Sequence, residues 1–401
     1  MLRNLAYACV SAASAGLLFV LLIIAGRTLG DVEFGKFSFA LALGTIFETL
    51  MDFGFHQVII RAIARDKSRA RELLRHAMGL KAIWAAGALA ALVATATFLR
   101  PERDVRAACY LLGGSLVLRS YMLTIRGALQ GLERFAWDSV VVVGDRAILL
   151  IFGVVALASG AGLHGLAIAF VAARAAALGL SMWLTHAQFG GFGLRFDPAI
   201  WRELQATALP IGFFLVVINV YAYVDSVMLG IMRTDVETGL YTAAYRAYEG
   251  LSYPASAVAA VLTPRLSNLF RTDRRGHRRI AILGLAGAPV LAVVISAFAY
   301  LLATPLMVGI WGNDFAPAAT PFRILSVGLC FVFAIWVLHA LAISVDRERV
   351  LLKTAVVGLV ANVALNLYVI PRMGASGAAV ATVAGELVSM IALVVSLRSE
   401  L

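Results

Sequence analysis

Charge is scarce in this sequence. Only 14% of its 401 residues are Asp, Glu, Lys or Arg, against 61% that are hydrophobic. Soluble domains carry roughly 25% charged and 45–50% apolar residues, so an ordinary water-soluble enzyme is excluded. Cysteine is scarcer still. Its three positions, Cys9, Cys109 and Cys330, each lie inside an apolar run without metal-ligand spacing. They read as small buried hydrophobes, leaving no disulfide framework and no zinc site. A phosphate-cradling glycine loop, a metal-spaced His/Cys set and a serine–histidine arrangement on a solvent loop are all missing as well. The stretches between apolar runs are too short to build a core of their own, so no appended catalytic domain is expected. The chain therefore reads as a non-enzyme without a bound cofactor or metal.

What is abundant is apolar sequence in runs of membrane-spanning length. About twenty such residues cross ~30 Å of hydrocarbon. Spans are predicted at about 5–26, 36–55, 77–99, 107–128, 139–158 and 163–185, then at 209–229, 240–262, 280–303, 319–344, 351–370 and 375–396. The second is the least hydrophobic, because of Glu48 and Asp52. The opening Met1-Leu-Arg-Asn-Leu leads into a run that reads as a first span and not as a removable leader. The expectation is an all-α membrane protein of about twelve transmembrane helices. Its six-helix lobes cover 1–185 and 209–401, with 186–208 as a cytoplasmic link.

Orientation follows from where the basic residues fall. With the N-terminus inside, the cytoplasmic segments collect Arg61, Arg65, Lys67, Arg69, Arg71 and Arg75 in one loop. Arg265, Arg271, Arg274, Arg275, Arg278 and Arg279 lie in another. The outside segments carry far fewer, among them Arg27, Lys36, Arg100, Arg233 and Arg372. Both termini are therefore predicted to be cytoplasmic. The same distribution accounts for the formal net charge of +11. It matches anionic lipid headgroups and removes the nucleic-acid reading.

The two halves repeat. Asp31-Val-Glu-Phe-Gly35-Lys-Phe37 aligns with Asp235-Val-Glu-Thr-Gly239-Leu-Tyr241 at a separation of 204 residues. Gly162-Leu-His-Gly165-Leu-Ala-Ile-Ala169 aligns with Gly374-Ala-Ser-Gly377-Ala-Ala-Val-Ala381 at 212. Both basic loops follow the second span of their half. Six spans per half is an even number, so the copies share one orientation. Parallel repeats of this kind imply two bundles with a site between them near the midplane.

Several of these stretches resemble a known family. They are Asp225-Ser-Val-Met-Leu-Gly230, the Asp235–Tyr245 segment, Leu262-Thr-Pro264-Arg-Leu-Ser267, and Asn362-Val-Ala-Leu-Asn366 running on through Pro371 to Gly374 and Thr382. Together they are similar to the polysaccharide repeat-unit flippases, the O-antigen and exopolysaccharide Wzx-type translocases of the MOP superfamily, which are relatives of the MATE multidrug exporters. The resemblance implies a MATE-like fold in the bacterial inner membrane. It implies transport of an undecaprenyl-diphosphate-linked oligosaccharide from the cytoplasmic to the periplasmic leaflet by alternating access, driven by a proton or sodium gradient. Membrane lipids, polysaccharide polymerase and assembly proteins would be its partners. An ion-coupled multidrug exporter and a lipid II-type flippase are the alternatives; flippases of the latter kind usually have two further spans.

The charges inside the spans describe a cargo independently of that resemblance. A charge at bilayer depth costs ~2.5–3.5 kcal/mol on insertion scales, so it is retained for a cavity, a partner or an ion path. The first half holds Lys81, Arg119, Arg126, Arg146 and Arg174 against Glu48, Asp52 and Asp145; the second holds Arg246 and Arg323 against Asp225, Glu249 and Glu386. Arginine's planar fork donates paired hydrogen bonds to phosphate, and it stays charged at any cellular pH. Arg119, Arg126, Arg146, Arg174 and Arg246, with Tyr245, are thus candidates for contact with an anionic cargo. Each arginine has the alternative of pairing with an acid: Arg246 and Glu249 are three apart on one helix face. Asp225, Glu249, Glu48 and Asp145 are candidates for ion coupling, since buried carboxylates can load and unload a cation. Asn362 and Asn366, one turn apart, suit hydrogen bonding between helices. Lys81 and Arg323 lie near span ends and are expected to reach for the interface.

Overall fold

A computed structural model describes residues 7 and 10 and residues 13–190 and 193–400. Arg3 and Cys9 lie outside the described residues, as does most of the first half of the predicted span 5–26. Regular structure among the described residues is helical throughout, with no strand. The chain divides into two compact units, Met1–Asn219 and Val220–Leu401.

In the first unit α1 runs Ala15–Asp52, α2 Phe55–Arg65, α3 Ala70–Leu99, α4 Arg103–Gly131, α5 Phe135–Ala158 and α6 Gly162–Phe189. Helix α7, Pro198–Met232, passes through the boundary between the units with Pro210 inside it. The stretch read as a link, 186–208, thus ends as the first turns of a long helix. In the second unit α8 is Asp235–Thr272, α9 Arg274–Leu301, α10 Ala303–Trp311, α11 Ala319–Ser344 and α12 Glu348–Leu397.

Nine helical stretches among the described residues are long and apolar enough to cross a membrane. They become twelve crossings for three reasons. Gly30 (φ 73°, ψ 179°) breaks α1, Gly374 (φ 56°, ψ −131°) breaks α12, and the 38-residue α8 is too polar to count by hydropathy. At about 1.5 Å per residue α8 is still roughly 57 Å long, well beyond a bilayer core.

One predicted loop is a helix. Phe55, Val58, Ile59 and Ile63 recur at helical spacing in α2 and are all at most 2% exposed. They pack with Met122, Ile125, Ala128 and Leu129 of α4. Each such side chain withdrawn from water contributes about 1.5–3 kcal/mol. Arg61 and Arg65 stay on the exposed side. The basic sequence concealed this apolar stripe.

The internal repeat has a structural counterpart within each unit. Asp31 opens the second crossing segment immediately after the Gly30 break, and Asp235 opens α8 after its Thr234 cap. Gly162 (φ 59°) opens α6, and Gly374 opens the second stretch of α12. In the first unit the carboxylate of Glu33 accepts the Leu163 backbone N–H at 3.2 Å. In the second, the matching Glu237 carboxylate occupies the space a Cβ at Gly374 would need. The same glutamate thus meets the same left-handed glycine in both copies. Glycine is required there because a side chain would be strained by its φ and, at Gly374, would collide with the carboxylate.

Candidate functional site

Helices α1, α3, α4, α5 and α6 bring the first unit's charges together. Arg119 on α4 donates to Glu48 on α1 at 2.5 Å. Arg126, two turns along, donates to Asp138 at the start of α5 at 2.8 Å, and Gln130 shares that carboxylate at 2.9 Å. Arg174 on α6 pairs with Asp145 on α5. Arg146 donates to the Ser14 hydroxyl at 2.6 Å. Adjacent on α5, Asp145 and Arg146 therefore serve different helices. Arg146 lies within electrostatic range of Arg119, Arg126 and Arg174, and Glu48 within range of both Arg119 and Arg174.

The members of this cluster differ in access. Arg174 and Asp145 are 6% and 5% exposed. Lys81 is fully buried, bound to Asp52 at 2.5 Å and to the Ser120 carbonyl at 2.6 Å. That corrects its expected reach to the interface: a carboxylate on α1 and a carbonyl on α4 satisfy the ammonium inside the unit. Arg119 keeps 36% of its side chain exposed, and Arg126 and Arg146 are part-exposed. Those three can meet a ligand, whereas Arg174 holds the frame. Glu48 Oε1, Asp145 Oδ1 and Arg174 Nε are buried without a hydrogen-bond partner among the described residues. The cluster thus has bonding capacity its own members do not use up.

The second unit contains a different centre. Asp225, 2% exposed on α7, accepts from the Tyr241 hydroxyl and the Thr382 hydroxyl, both at 2.7 Å, and from the Asn366 side-chain amide. Asn366 also donates to Asn362 at 3.0 Å. These partners come from α8 and from both stretches of α12, and every one is neutral. Arg246 is committed elsewhere, to Glu249 at 2.6 Å and to the Tyr223 ring at 5.2 Å. Tyr245 stacks on Tyr241 and lies tilted against Tyr248, with ring centroids 5.8 and 5.9 Å away. Tyr248 donates to Glu386, which is 6% exposed. An ionised carboxylate with only neutral donors around it is expensive in an apolar interior. A proton or a bound monovalent cation relieves that cost. No three-member His, Cys, Asp or Glu cluster that could hold a metal occurs among the described residues.

Several partners are not apparent in the sequence, among them Ser14, Gln130, Asp138 and Thr382. Asp138 falls one residue before the predicted fifth span, although it lies seven residues before Asp145, as Arg119 lies seven before Arg126. Thr382 closes the family-like stretch that begins at Asn362, but nothing in the sequence pairs it with Asp225. Cys109 is buried and Cys330 part-buried, both as free thiols.

The family model described as "Polysaccharide biosynthesis protein" matches residues 1–270. A curated relative, "Probable flippase AglR" of Haloferax volcanii, is 26% identical over 167 residues, which is 40% of this chain and 35% of AglR. The aligned part thus spans about a third of that relative's length. Among solved structures, lipid II flippase MurJ in an inward closed conformation is similar with a TM-score of 0.79 at 13% identity, covering 98% of this chain and 87% of MurJ. An inward-facing multidrug resistance MATE family transporter of the MOP superfamily follows at 0.77 and 16% identity, covering 96% and 93%. Those two likenesses establish the fold.

Proposed function

The chain belongs to the polysaccharide biosynthesis protein family, and from that membership we propose that it is a flippase for undecaprenyl-diphosphate-linked oligosaccharides. It works in the bacterial inner membrane, moving repeat units from the cytoplasmic to the periplasmic leaflet for polysaccharide export. Polymerase and assembly proteins receive the product.

The observation that carries this reading is the part-exposed arginine set Arg119, Arg126 and Arg146. Two guanidinium groups, Arg119 and Arg126, in electrostatic range of a third, Arg146, match a diphosphate, which offers paired acceptors in the geometry arginine prefers. Glu48 holds Arg119 while the cargo is absent. An arriving phosphate takes over that guanidinium, and Glu48 is then left to a proton or to a neighbouring arginine. Exchange of partners keeps every charge compensated as alternating access proceeds, which a membrane interior requires.

Asp225 supplies the coupling. Its neutral cage of Tyr241, Thr382, Asn366 and Asn362 favours a state carrying a proton or a sodium ion, taken from the gradient and released on the other side. Glu48 and Asp145 balance the arginines, and Glu249 balances Arg246. The acids of the second unit also suit a cationic drug, the cargo of the exporter reading.

One experiment separates the two. In cells deleted for this protein, the flippase reading expects a glycan-bearing undecaprenyl diphosphate to accumulate on the cytoplasmic leaflet. Normal polymer export with raised drug sensitivity would overturn it in favour of the exporter.

A further inference from the structure

A groove of about 690 Å³ on the second unit is not used by either centre. It is formed by the end of α9, the first half of α11 and the stretch of α12 after Gly374. Tyr300, Thr320 and Arg323 stand at one end, and Phe331 and Leu387 line the other. From Thr320 to Phe331 the groove follows α11 for eleven residues, roughly 17 Å at 1.5 Å per residue. That is close to half of the ~30 Å hydrocarbon core, the depth of one leaflet. The walls are apolar, and Val327 and Leu387, 48% and 36% exposed, open outward.

The head of the groove is chemically distinct from its walls. Arg323 donates through Nη2 to the Thr304 hydroxyl at 3.1 Å and through Nε to the Tyr300 carbonyl at 3.4 Å, and it lies 5.9 Å from the Tyr300 ring. Those acceptors are neutral, in contrast with the carboxylates held by Arg119, Arg126 and Arg174. The cationic charge of Arg323 therefore meets no compensating charge among the described residues, and it retains donors in a forked geometry that fits phosphate.

We infer that this groove is a binding site for an anionic phospholipid, with its phosphate on Arg323 and one acyl chain lying against Val327, Val380 and Leu387. The depth decides between lipids: an acyl chain reaches the midplane and stops, whereas the much longer isoprenoid chain of the proposed cargo would overrun the groove. With the termini cytoplasmic, the lipid belongs to the outer leaflet, because α11 begins on the side opposite the C-terminus.

The test uses the full-length protein purified in mild detergent and titrated with phosphatidylglycerol, with bound lipid counted by native mass spectrometry. Wild type is expected to retain one molecule. Arg323→Ala removes a charge-assisted contact to phosphate and should weaken retention roughly ten-fold or more. Ala384→Trp fills the groove from α12 and should do the same, while Arg323→Lys should lose less than Arg323→Ala. Arg372→Ala, which removes an arginine that lies 3.8 Å from the Tyr368 ring and outside the groove, should leave retention unchanged. If Ala384→Trp melts below wild type, Val380→Trp blocks the same channel. The inference is overturned if Arg323→Ala or the groove-filling variant retains phosphatidylglycerol as wild type does. It is equally overturned if Arg372→Ala loses as much, or if a polyprenyl phosphate proves to be the retained species.

Discussion

Replacing Asp225 by asparagine should abolish coupled transport while leaving the fold intact. The reason lies in the spare partners of its cage. The Tyr241 hydroxyl stands 2.9 Å from the Thr382 hydroxyl, Thr382 can donate instead to the Ala378 carbonyl at 2.9 Å, and Asn366 also donates to Asn362 at 3.0 Å. No donor of the cage depends on the carboxylate alone. In Asp225→Asn the new carbonyl can stand where Oδ2 was, keeping Tyr241 and Thr382. The new amide then faces Asn366, whose own Oδ1 has no donor among the described residues. Asn366 and Asn362 can turn over together to accept it. A buried carboxylate is also removed, which offsets whatever geometry is lost. The net change should be within about 1 kcal/mol, or about 2–4 °C in melting temperature for a unit of this size. Asp225→Ala leaves a small cavity and fewer acceptors and should cost about 1–3 kcal/mol. Transport in both variants should no longer respond to a proton or sodium gradient. The assays are a fluorescence melt of the purified protein and complementation of a deletion strain at matched protein level. Full complementation by Asp225→Asn, with gradient dependence retained, would refute the coupling role. A large fall in melting temperature would show that the cage is structural.

Other residues yield sharper contrasts between stability and function. Arg174→Met strands Asp145 in the interior and should destabilise by about 3–5 kcal/mol, whereas the double variant with Asp145→Leu should recover most of that loss; comparing the two melts checks the pair. Gly374→Ala places a methyl group against the Glu237 carboxylate at a positive φ, and Gly162→Ala meets Glu33 only at 3.3 Å. Both should be destabilising by about 1 kcal/mol or more, with Gly374→Ala the worse, as judged by protein level and melting temperature. Arg119→Gln should accumulate to normal levels yet fail to complement, because its side chain is part-exposed and frees Glu48 to take a proton; normal export from that variant would remove Arg119 from the cargo path.

The twelve crossings were legible because hydrocarbon imposes a length and a composition on each. Even α8, polar as its first turns are, carries an apolar run over 240–262 that reads as a span. Helix α2 was concealed because its apolar stripe of Phe55, Val58, Ile59 and Ile63 is interleaved with a basic surface. Most charged residues of both centres stand out in the sequence, because charge in an apolar run is locally conspicuous; Asp138, one residue before the predicted fifth span, is the exception. Their pairings do not stand out. Whether Arg119 meets Glu48, or Arg174 meets Asp145, depends on helices that approach only in three dimensions. Lys81 shows the same limit: its position near a span end suggested the interface, and the packing of α1 and α4 around it decided otherwise. Asn362 and Asn366 were read as hydrogen bonding between helices, which Asn366 does with Asp225. The neutrality of the whole Asp225 cage, the feature that suggests ion loading, appears only once Arg246 is seen to be held by Glu249.

The most direct test of the arginine-lined flippase is reconstitution into vesicles with a lipid-linked oligosaccharide on one leaflet and an ion gradient across the membrane. Access of an impermeant glycosidase to the sugar then reports its arrival on the other side. Wild type is expected to transfer the sugar, and Arg119→Gln and Asp225→Asn to leave it where it started. Equal transfer by wild type and Arg119→Gln, or none by wild type with either a proton or a sodium gradient, would contradict the account.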